Sequence, residues 1–372
     1  MGIWYRSRFL RDITLFSSVQ PVESLVKQAA RQAGFDLAGI APATDSHELQ
    51  SFSEWIAKGY AGEMKYMQSR DEQGLLKRSS LSRVAPWARS VVVCAINYNT
   101  DHCYSTEVHE PDRGWISRYA WSREDYHEAV LRRLKQVEAA LHEAASDSQP
   151  ELITRSYVDT GPIVERVFAK YAGVGWIGKN TCIINQKLGS WLFLGVILTS
   201  LELTPDVPAP DRCGTCTRCI QACPTNAILE PYKLDSNLCI SYLTIEKRGM
   251  ISEDLRAGMG HHIFGCDICQ DVCPWNRKAP VTTAPEFSPR EGLVNPALIW
   301  LAEMSAEQFR GTFRGSPILR AKRSGLRRNA LIAIGNSGNR DFLPLAETLS
   351  RDEDESVAEA AQWAVSRLQE ST

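Results

Sequence analysis

A chain of 372 residues, 44% of them hydrophobic, can bury a large core and is long enough for two or three domains. Its formal net charge of -2 excludes a uniformly basic nucleic-acid binder while leaving room for a local basic patch. No apolar run reaches the roughly 18 residues of a membrane span, and no secretory signal opens the chain. Eleven cysteines, an odd number, suit a reducing cytoplasm with metal-bound thiols better than a disulfide scaffold.

Residues 1–20 read as an N-terminal extension. The stretch "VESLVKQAARQAGFDLAGIAPA" then sets Val22, Leu25, Ala29 and Ala33 at helical spacing, stops at Gly34 and runs into a short apolar strand. "SVVVCAINY" is a second strand. "EDYHEAVLRRLKQVEAALHEAA" is a long amphipathic helix with Val130, Leu131, Leu134, Val137 and Leu141 on one face. "TRSYVDTG" and "SWLFLGVILTS" add strands. The alternation predicts an α/β or α+β domain over residues 21–203.

Between those last strands lies "DTGPIVERVFAKYAGVGWIGKNT". Pro162 suits a first helical position, Val164, Val167, Phe168 and Tyr171 form an apolar stripe, and Gly173 suits a helix stop. Gly173, Gly175 and Gly178 match G-x-G-x-x-G, and with Lys179 and Asn180 they nearly match a P-loop. Both readings fail, because a phosphate site needs a strand before the glycines and a helix after them, and here the order is reversed. Asn180 also stands where Ser or Thr would hold magnesium. A loop that approaches a large ligand and a simple turn both remain open. Asp159 ends a predicted strand, where α/β domains often place chemistry, although Asp-Thr-Gly-Pro is also ordinary turn sequence.

The cysteines come next. Cys213, Cys216, Cys219 and Cys223-Pro224 give C-x2-C-x2-C-x3-C-P, the bacterial ferredoxin run whose fourth cysteine serves the other cluster. Cys266, Cys269 and Cys273-Pro274 repeat its end, with Ile263 where a first cysteine would stand; Cys239 supplies the missing ligand. One [4Fe-4S] cluster is therefore assigned to Cys213, Cys216, Cys219 and Cys273, and the other to Cys223, Cys239, Cys266 and Cys269. A zinc site has no use for the C-x3-C-P ending. Cys94, Cys103 and Cys182 read as core or incidental residues. This ferredoxin-like module occupies residues 204–285.

From about residue 300, "GSPILRAKRSGLRRNALIAIGNSG", "RDFLPLAETLSRD" and "DESVAEAAQWAVSRLQE" read as three helical segments of a HEAT-like α-helical repeat, placed at residues 286–372. The first is rich in Arg and Lys: Arg310, Arg314, Arg320, Lys322, Arg323, Arg327 and Arg328. A solvated helix face is the plain reading of such charges.

Taken in order, "SRYAWSREDYH", "YVDTGPIVERVFAKYAGVGWIGKNT", "CGTCTRCIQACPTNAI", "CISYLTIEKRG" and "GCDICQDVCPWN" resemble the epoxyqueuosine reductases, iron-sulfur enzymes that complete queuosine at the tRNA wobble position. The resemblance runs from about residue 20 to the C-terminus. It implies a cobalamin held between the N-terminal domain and the ferredoxin-like module, fed with electrons by an external donor through the outer and then the inner cluster. It also implies Asp159 as proton donor, which calls for a buried setting that raises its pKa. Arg166 and His127 are candidates for the same pocket or for plain surface and core roles.

Corrin contacts implied by the resemblance are Arg118, Tyr119, Asp159, Lys179, Asn180, Ser241 and Tyr242. The absence of a D-x-H-x-x-G motif implies no histidine beneath the cobalt. Arg248 would face the RNA, and Arg320, Lys322, Arg323, Arg327 and Arg328 would hold tRNA phosphates, which position rather than specify. No membrane association is expected, and the lack of a sustained heptad pattern suggests a monomer. The rival readings are a ferredoxin-type electron carrier, a cobalamin-dependent reductive dehalogenase and a tRNA-binding module with structural clusters.

Overall fold

The structure is a computed structural model that describes residues 21–146 and 149–370; the extension expected over residues 1–20 lies outside the described residues. Four strands, β1 (Leu37–Pro42), β2 (Ser90–Asn97), β3 (Thr154–Tyr157) and β4 (Leu192–Thr199), form a sheet in the order β1-β2-β4-β3. Every neighbouring pair is antiparallel. The domain is therefore α+β, and the α/β alternative is corrected: the intervening helices cover the sheet without returning the chain to a parallel neighbour.

Strand β2 is buried along its whole length because both faces are covered. Val92, Cys94 and Ile96 share one apolar cluster with helices α1 (Val22–Gln32) and α2 (Tyr126–Ala145). Val91, Val93 and Ala95 face the other way, toward α3 (Glu165–Tyr171). Each fully buried valine or leucine here contributes about 1.5–3 kcal/mol relative to exposure. Gly195 of β4 lets α2 lie close: a Cβ there would meet Leu134 at 2.7 Å and Val130 at 2.9 Å. Along α2, Val130, Leu134, Val137 and Leu141 are buried, whereas Leu131 falls off the stripe and is exposed.

Asp125 caps α2 by accepting the His127 backbone N–H at 3.0 Å, and this fixes the first helical turn. Tyr126 and His127 are thereby presented at the helix end, facing the loop between β3 and α3.

In the cysteine-rich region, the short helices α4 (Arg218–Gln221) and α6 (Ile268–Asp271) lie within the two cysteine runs, carrying Cys219 and Cys269, and pack together, with α5 (Ile240–Ile245) between them in sequence. The C-terminal helices include α7 (Lys322–Ser337) and α8 (Glu355–Glu370). Their apolar cluster is continuous with Trp115, Ile116, α5, Ile263 and Phe264, so it crosses residue 286 without a break. Among the described residues no helix is long and apolar enough to cross a membrane.

Helix α7 is buried from Gly325 to Gly335, which overturns one expectation. Arg327 and Arg328 do not form a phosphate-facing surface. Arg327 pairs with Asp352 at 2.7 Å and donates to the Ala302 carbonyl. Arg328 donates to the carbonyls of Leu243, Lys247 and Gly249, and burial pulls its pKa down to about 10. Both guanidinium groups satisfy internal carbonyls and carboxylates.

Candidate active site

The cysteines fall into two spatial groups. Cys219 feels the charges of Cys213 and Cys216, and Cys273 those of Cys213 and Cys219. Cys266 likewise feels Cys239 and Cys223, and Cys269 feels Cys266 and Cys239. Eight soft thiol donors in two such sets are the donor chemistry that iron-sulfur clusters require. Burial pushes the Cys266 and Cys239 thiols up, so metal must displace their protons on binding.

A ninth thiol was missed by the sequence reasoning. Cys182 hydrogen-bonds Cys269, which lowers the Cys182 pKa, and it also feels the positive charge of Arg166. No cysteine stands near it in sequence, so spacing carried no signal. Cys94 is buried in the sheet core, as a core reading requires, and Cys103 is exposed.

On the side of the second group, Asp159 is exposed between Tyr126, His127 and Arg166, whose side chains wall an open cleft around it. Asp159 adopts a left-handed backbone conformation (φ 57°), unusual for a residue with a side chain. Its N–H is held by the Glu165 carboxyl at 2.7 Å, and Arg78 anchors the same loop through the Gly161 carbonyl at 2.8 Å. The Asp159 carboxyl accepts the Tyr126 hydroxyl at 2.9 Å, lies 3.7 Å from His127 Nε2, and is 67% exposed. His127 Nδ1 bonds Asp125 at 2.7 Å, so one imidazole sits between two carboxylates.

The electrostatics follow from that arrangement. Surrounding protein disfavours charge on Asp159, but bonds from His127 and Tyr126 and the charges of His127 and Arg166 outweigh it, holding the carboxyl below the usual carboxylate range. The expectation that burial would raise this pKa is corrected: an imidazolium is too close. Burial opposes charge on His127 as well, yet Asp125 and Asp159 lift its pKa to about 9. Glu165, pushed by burial and then by Asp159, rises to about 8. At neutral pH the mobile protons therefore reside on His127 and Glu165, and Asp159 is a carboxylate facing the opening.

Two family models match the chain. Residues 212–276 match a 4Fe-4S double cluster binding domain, and residues 78–160 match the model described as epoxyqueuosine reductase QueG, DUF1730. An epoxyqueuosine reductase from Synechocystis is 44% identical over 297 residues, 78% of this chain and 98% of that one. The Escherichia coli epoxyqueuosine reductase is 38% identical over 343 residues, covering 92% and 88% of the two chains. The chain belongs to the epoxyqueuosine reductase family. It is accordingly an oxidoreductase that acts on tRNA, and the electron-carrier and dehalogenase readings fall away.

Solved structures agree. An epoxyqueuosine reductase bound to an epoxyqueuosine-modified tRNA-Tyr stem loop has a TM-score of 0.82 at 29% identity, covering 93% of this chain and 89% of that one. A Bacillus subtilis epoxyqueuosine reductase, with its catalytic aspartate loop swung out of the active site, has a TM-score of 0.81 at 28% identity, covering 93% and 90%.

Within this family fold the other expected site residues scatter. Tyr119 lines the cleft, edge-on to Tyr126 at 5.9 Å, and Arg166 sits on its rim, donating to the Thr181 carbonyl at 2.7 Å. Ser241 is half-buried at the start of α5, directly after Cys239 and Ile240. Tyr242 braces the neighbouring loop by accepting the Glu63 N–H at 2.8 Å.

Three expected corrin contacts are spent elsewhere. Arg118 is buried and donates to Thr100, His102 and Cys103. Lys179 places its ammonium on the Gly214 and Cys216 carbonyls, so it braces a cysteine loop. Asn180 bonds the Cys269 carbonyl at 3.3 Å and does the same for the other group.

Of the expected RNA contacts, Arg248 donates to the carbonyls of Ile245, Arg320 and Ala321, and Arg323 to Met304. Arg320 pairs with Glu246 and lies over the Tyr66 ring, while Lys322 is exposed.

Proposed function

We propose that the chain reduces epoxyqueuosine at the wobble position of tRNA to queuosine, with Asp159 delivering to the substrate a proton held by His127. The observation that carries this reading is the ion pair of His127 and Asp159 in an open cleft beside the second cysteine group. Opening the epoxide to an alkene takes two electrons and two protons and releases water. The residues' part is to supply the protons and hold the substrate.

The chemistry of the cleft wall fits a corrin. Asp159 is widely exposed although Tyr119, Tyr126, His127 and Arg166 surround it, which describes a concave wall of aromatic and polar groups suited to a flat macrocycle. Tyr119 and Ser241 are the residues assigned to hold it. When bound, the cobalamin and the two clusters supply the electrons, the clusters being ligated as the two cysteine groups indicate.

The chain's own residues then act as follows. Asp159 faces the epoxide oxygen, takes a proton from the His127 imidazolium and passes it on, so no bare alkoxide is released. Closure of RNA over the cleft removes water and favours the protonated carboxyl at that moment. Asp125 holds the His127 ring, while Tyr126 and Glu165 fix the Asp159 carboxyl and backbone. The loop at 158–164 is the candidate counterpart of the loop that swings in the Bacillus subtilis structure.

The stem loop seen with a related enzyme would lie against the C-terminal helices, a HEAT-like platform in this reading. The exposed Arg310, Arg314, Lys322 and the partly paired Arg320 are its phosphate contacts. The protein acts in the cytoplasm as a monomer. The test is anaerobic reconstitution with iron, sulfide and cobalamin, reduction by dithionite, and mass analysis of nucleosides from epoxyqueuosine-containing tRNA. Queuosine is the expected product; clusters without corrin binding or product would refute the reading.

A further inference from the structure

The electrons must come from outside the chain, and unpaired positive charge marks one face for their arrival. We propose that the surface over Cys213, Cys216, Cys219 and Cys273 docks an acidic one-electron carrier protein, seated on Arg218 and Arg277. The inference rests on the redox reading given above.

Between α4 and α6 lies an open depression of about 440 Å³ lined by Arg218, Gln221, Ala222, Asp271, Val272 and Arg277. Arg218 adjoins Cys219, and Arg277 follows Cys273 by four residues. Both arginines are exposed, and neither side chain has a bond or ion pair among the described residues. The same holds for Arg212, beside Cys213, and for Lys278 and Lys187. Lys187 belongs here because its turn packs on the second cysteine run: a Cβ on Gly189 would meet Asn276, Ala279 and Trp275.

The nearby carboxylates are committed. Asp271 turns one oxygen inward to the Ser105 N–H and hydroxyl at 2.9 and 2.5 Å, and its other oxygen is buried without a partner. Asp211 accepts the Cys213 N–H at 2.8 Å and the Tyr232 hydroxyl at 2.5 Å. Several other cations on this chain of net charge -2 are held in ion pairs, as in Arg132 with Glu124 and Arg133 with Glu286. A cluster of unpaired cations costs self-repulsion and speeds encounter with a partner of opposite charge.

Position selects the occupant. Contacts tie the cleft to the other group, since Arg166 holds the Thr181 carbonyl next to Asn180, which bonds the Cys269 carbonyl, and Tyr119 lies against Phe264, two residues before Cys266, so a protein on Arg218 and Arg277 leaves the Asp159 opening free for RNA. Redox encounters are small, transient and salt-sensitive, which suits a shallow charged seat. Each encounter oxidises the carrier by one electron and reduces the protein by one, so two encounters match the two electrons consumed per epoxide.

The experiment uses holoenzyme and an acidic flavodoxin as probe. Binding of the oxidised probe is measured by calorimetry at low and moderate salt, alongside turnover driven by reduced probe and by dithionite. Wild type should bind more weakly as salt rises. Arg218→Glu with Arg277→Glu should weaken binding and slow probe-driven turnover about tenfold or more, with dithionite-driven turnover and cluster absorbance retained. Arg340→Glu, an exposed change on the C-terminal helices, should do neither.

If the first pair disturbs the cluster, Lys187→Glu with Lys278→Glu gives the same readout away from ligand neighbours. Salt-independent binding, or unchanged binding in the reversed variant, overturns the proposal. Loss of probe binding when tRNA is added also overturns it, since the face would then belong to RNA. Absence of dithionite-driven turnover in wild type would instead defeat the reaction assigned above.

Discussion

Replacing Asp159 by Asn tests the proton relay most sharply, because it removes charge and proton transfer while keeping an acceptor for the Tyr126 hydroxyl, now 2.9 Å away. Loss of a positioned acid predicts a fall in single-turnover rate of about 10²–10⁴-fold. The pH profile should move as well. His127 is lifted from 6.5 to about 9, against burial, by Asp125 and Asp159. Because the folded pKa lies above the unfolded one, the charged pairs stabilise the fold fully below about 6.5, and that contribution is lost as pH rises through about 9. Wild-type turnover should fall on the same alkaline limb as the imidazolium loses its proton. In Asp159→Asn only Asp125 remains beside the ring, so the limb should move down toward 6.5. Rapid quench of dithionite-reduced holoenzyme across this range, with nucleoside mass analysis, measures both quantities. A variant within threefold of wild type, or a limb that stays near 9, would refute the relay.

Glu165→Gln keeps an acceptor for the Asp159 N–H and mimics the neutral carboxyl that prevails below about 8, so turnover at neutral pH should hold while any inflection near 8 disappears. Glu165→Ala should lose about tenfold, and equal rates for the two variants would count against loop positioning. Arg328→Met orphans the carbonyls of Leu243, Lys247 and Gly249 and should destabilise by about 3 kcal/mol in urea titration, with the salt dependence of tRNA binding unchanged. Weakened RNA binding at full stability would restore the surface reading of that residue. Arg310→Gln with Arg314→Gln should lower the log–log salt slope of tRNA binding by about one per cation, and an unaltered slope would remove both from the interface. Gly195→Val should cost about 1–3 kcal/mol, since its side chain would meet Leu134 and Val130, and a neutral result would contradict the tight seat of α2 on the sheet.

The cysteine groups were legible because the C-x2-C-x2-C-x3-C-P run and its partial repeat carry a known exchange of ligands, each run lending its last cysteine to the other group, with Cys239 between them in place of the missing first cysteine. Cys182 was not legible, since only folding brings it beside Cys269. Asp159 was singled out by its place after a strand and by the family resemblance, but its protonation was misjudged. The deciding neighbour, His127, lies 32 positions earlier and is aimed by the Asp125 cap. Arg327 and Arg328 misled for a related reason. Basic residues on a helix usually mark a solvated face, but α7 is enclosed by α8 and by the region near α5, so its guanidinium groups serve internal carbonyls. Antiparallel pairing was equally hidden, because local patterning gives a strand its faces and not its neighbour's direction.

The central claim is that two separate cysteine groups each hold an iron-sulfur cluster in one chain. The most direct measurement is iron and acid-labile sulfide content with low-temperature paramagnetic resonance of the dithionite-reduced protein, for wild type, Cys213→Ala and Cys266→Ala. Wild type should carry about eight irons, and each variant should keep about four, with a different surviving signal in the two cases. Zinc in place of iron, or loss of the same signal in both variants, would contradict the account.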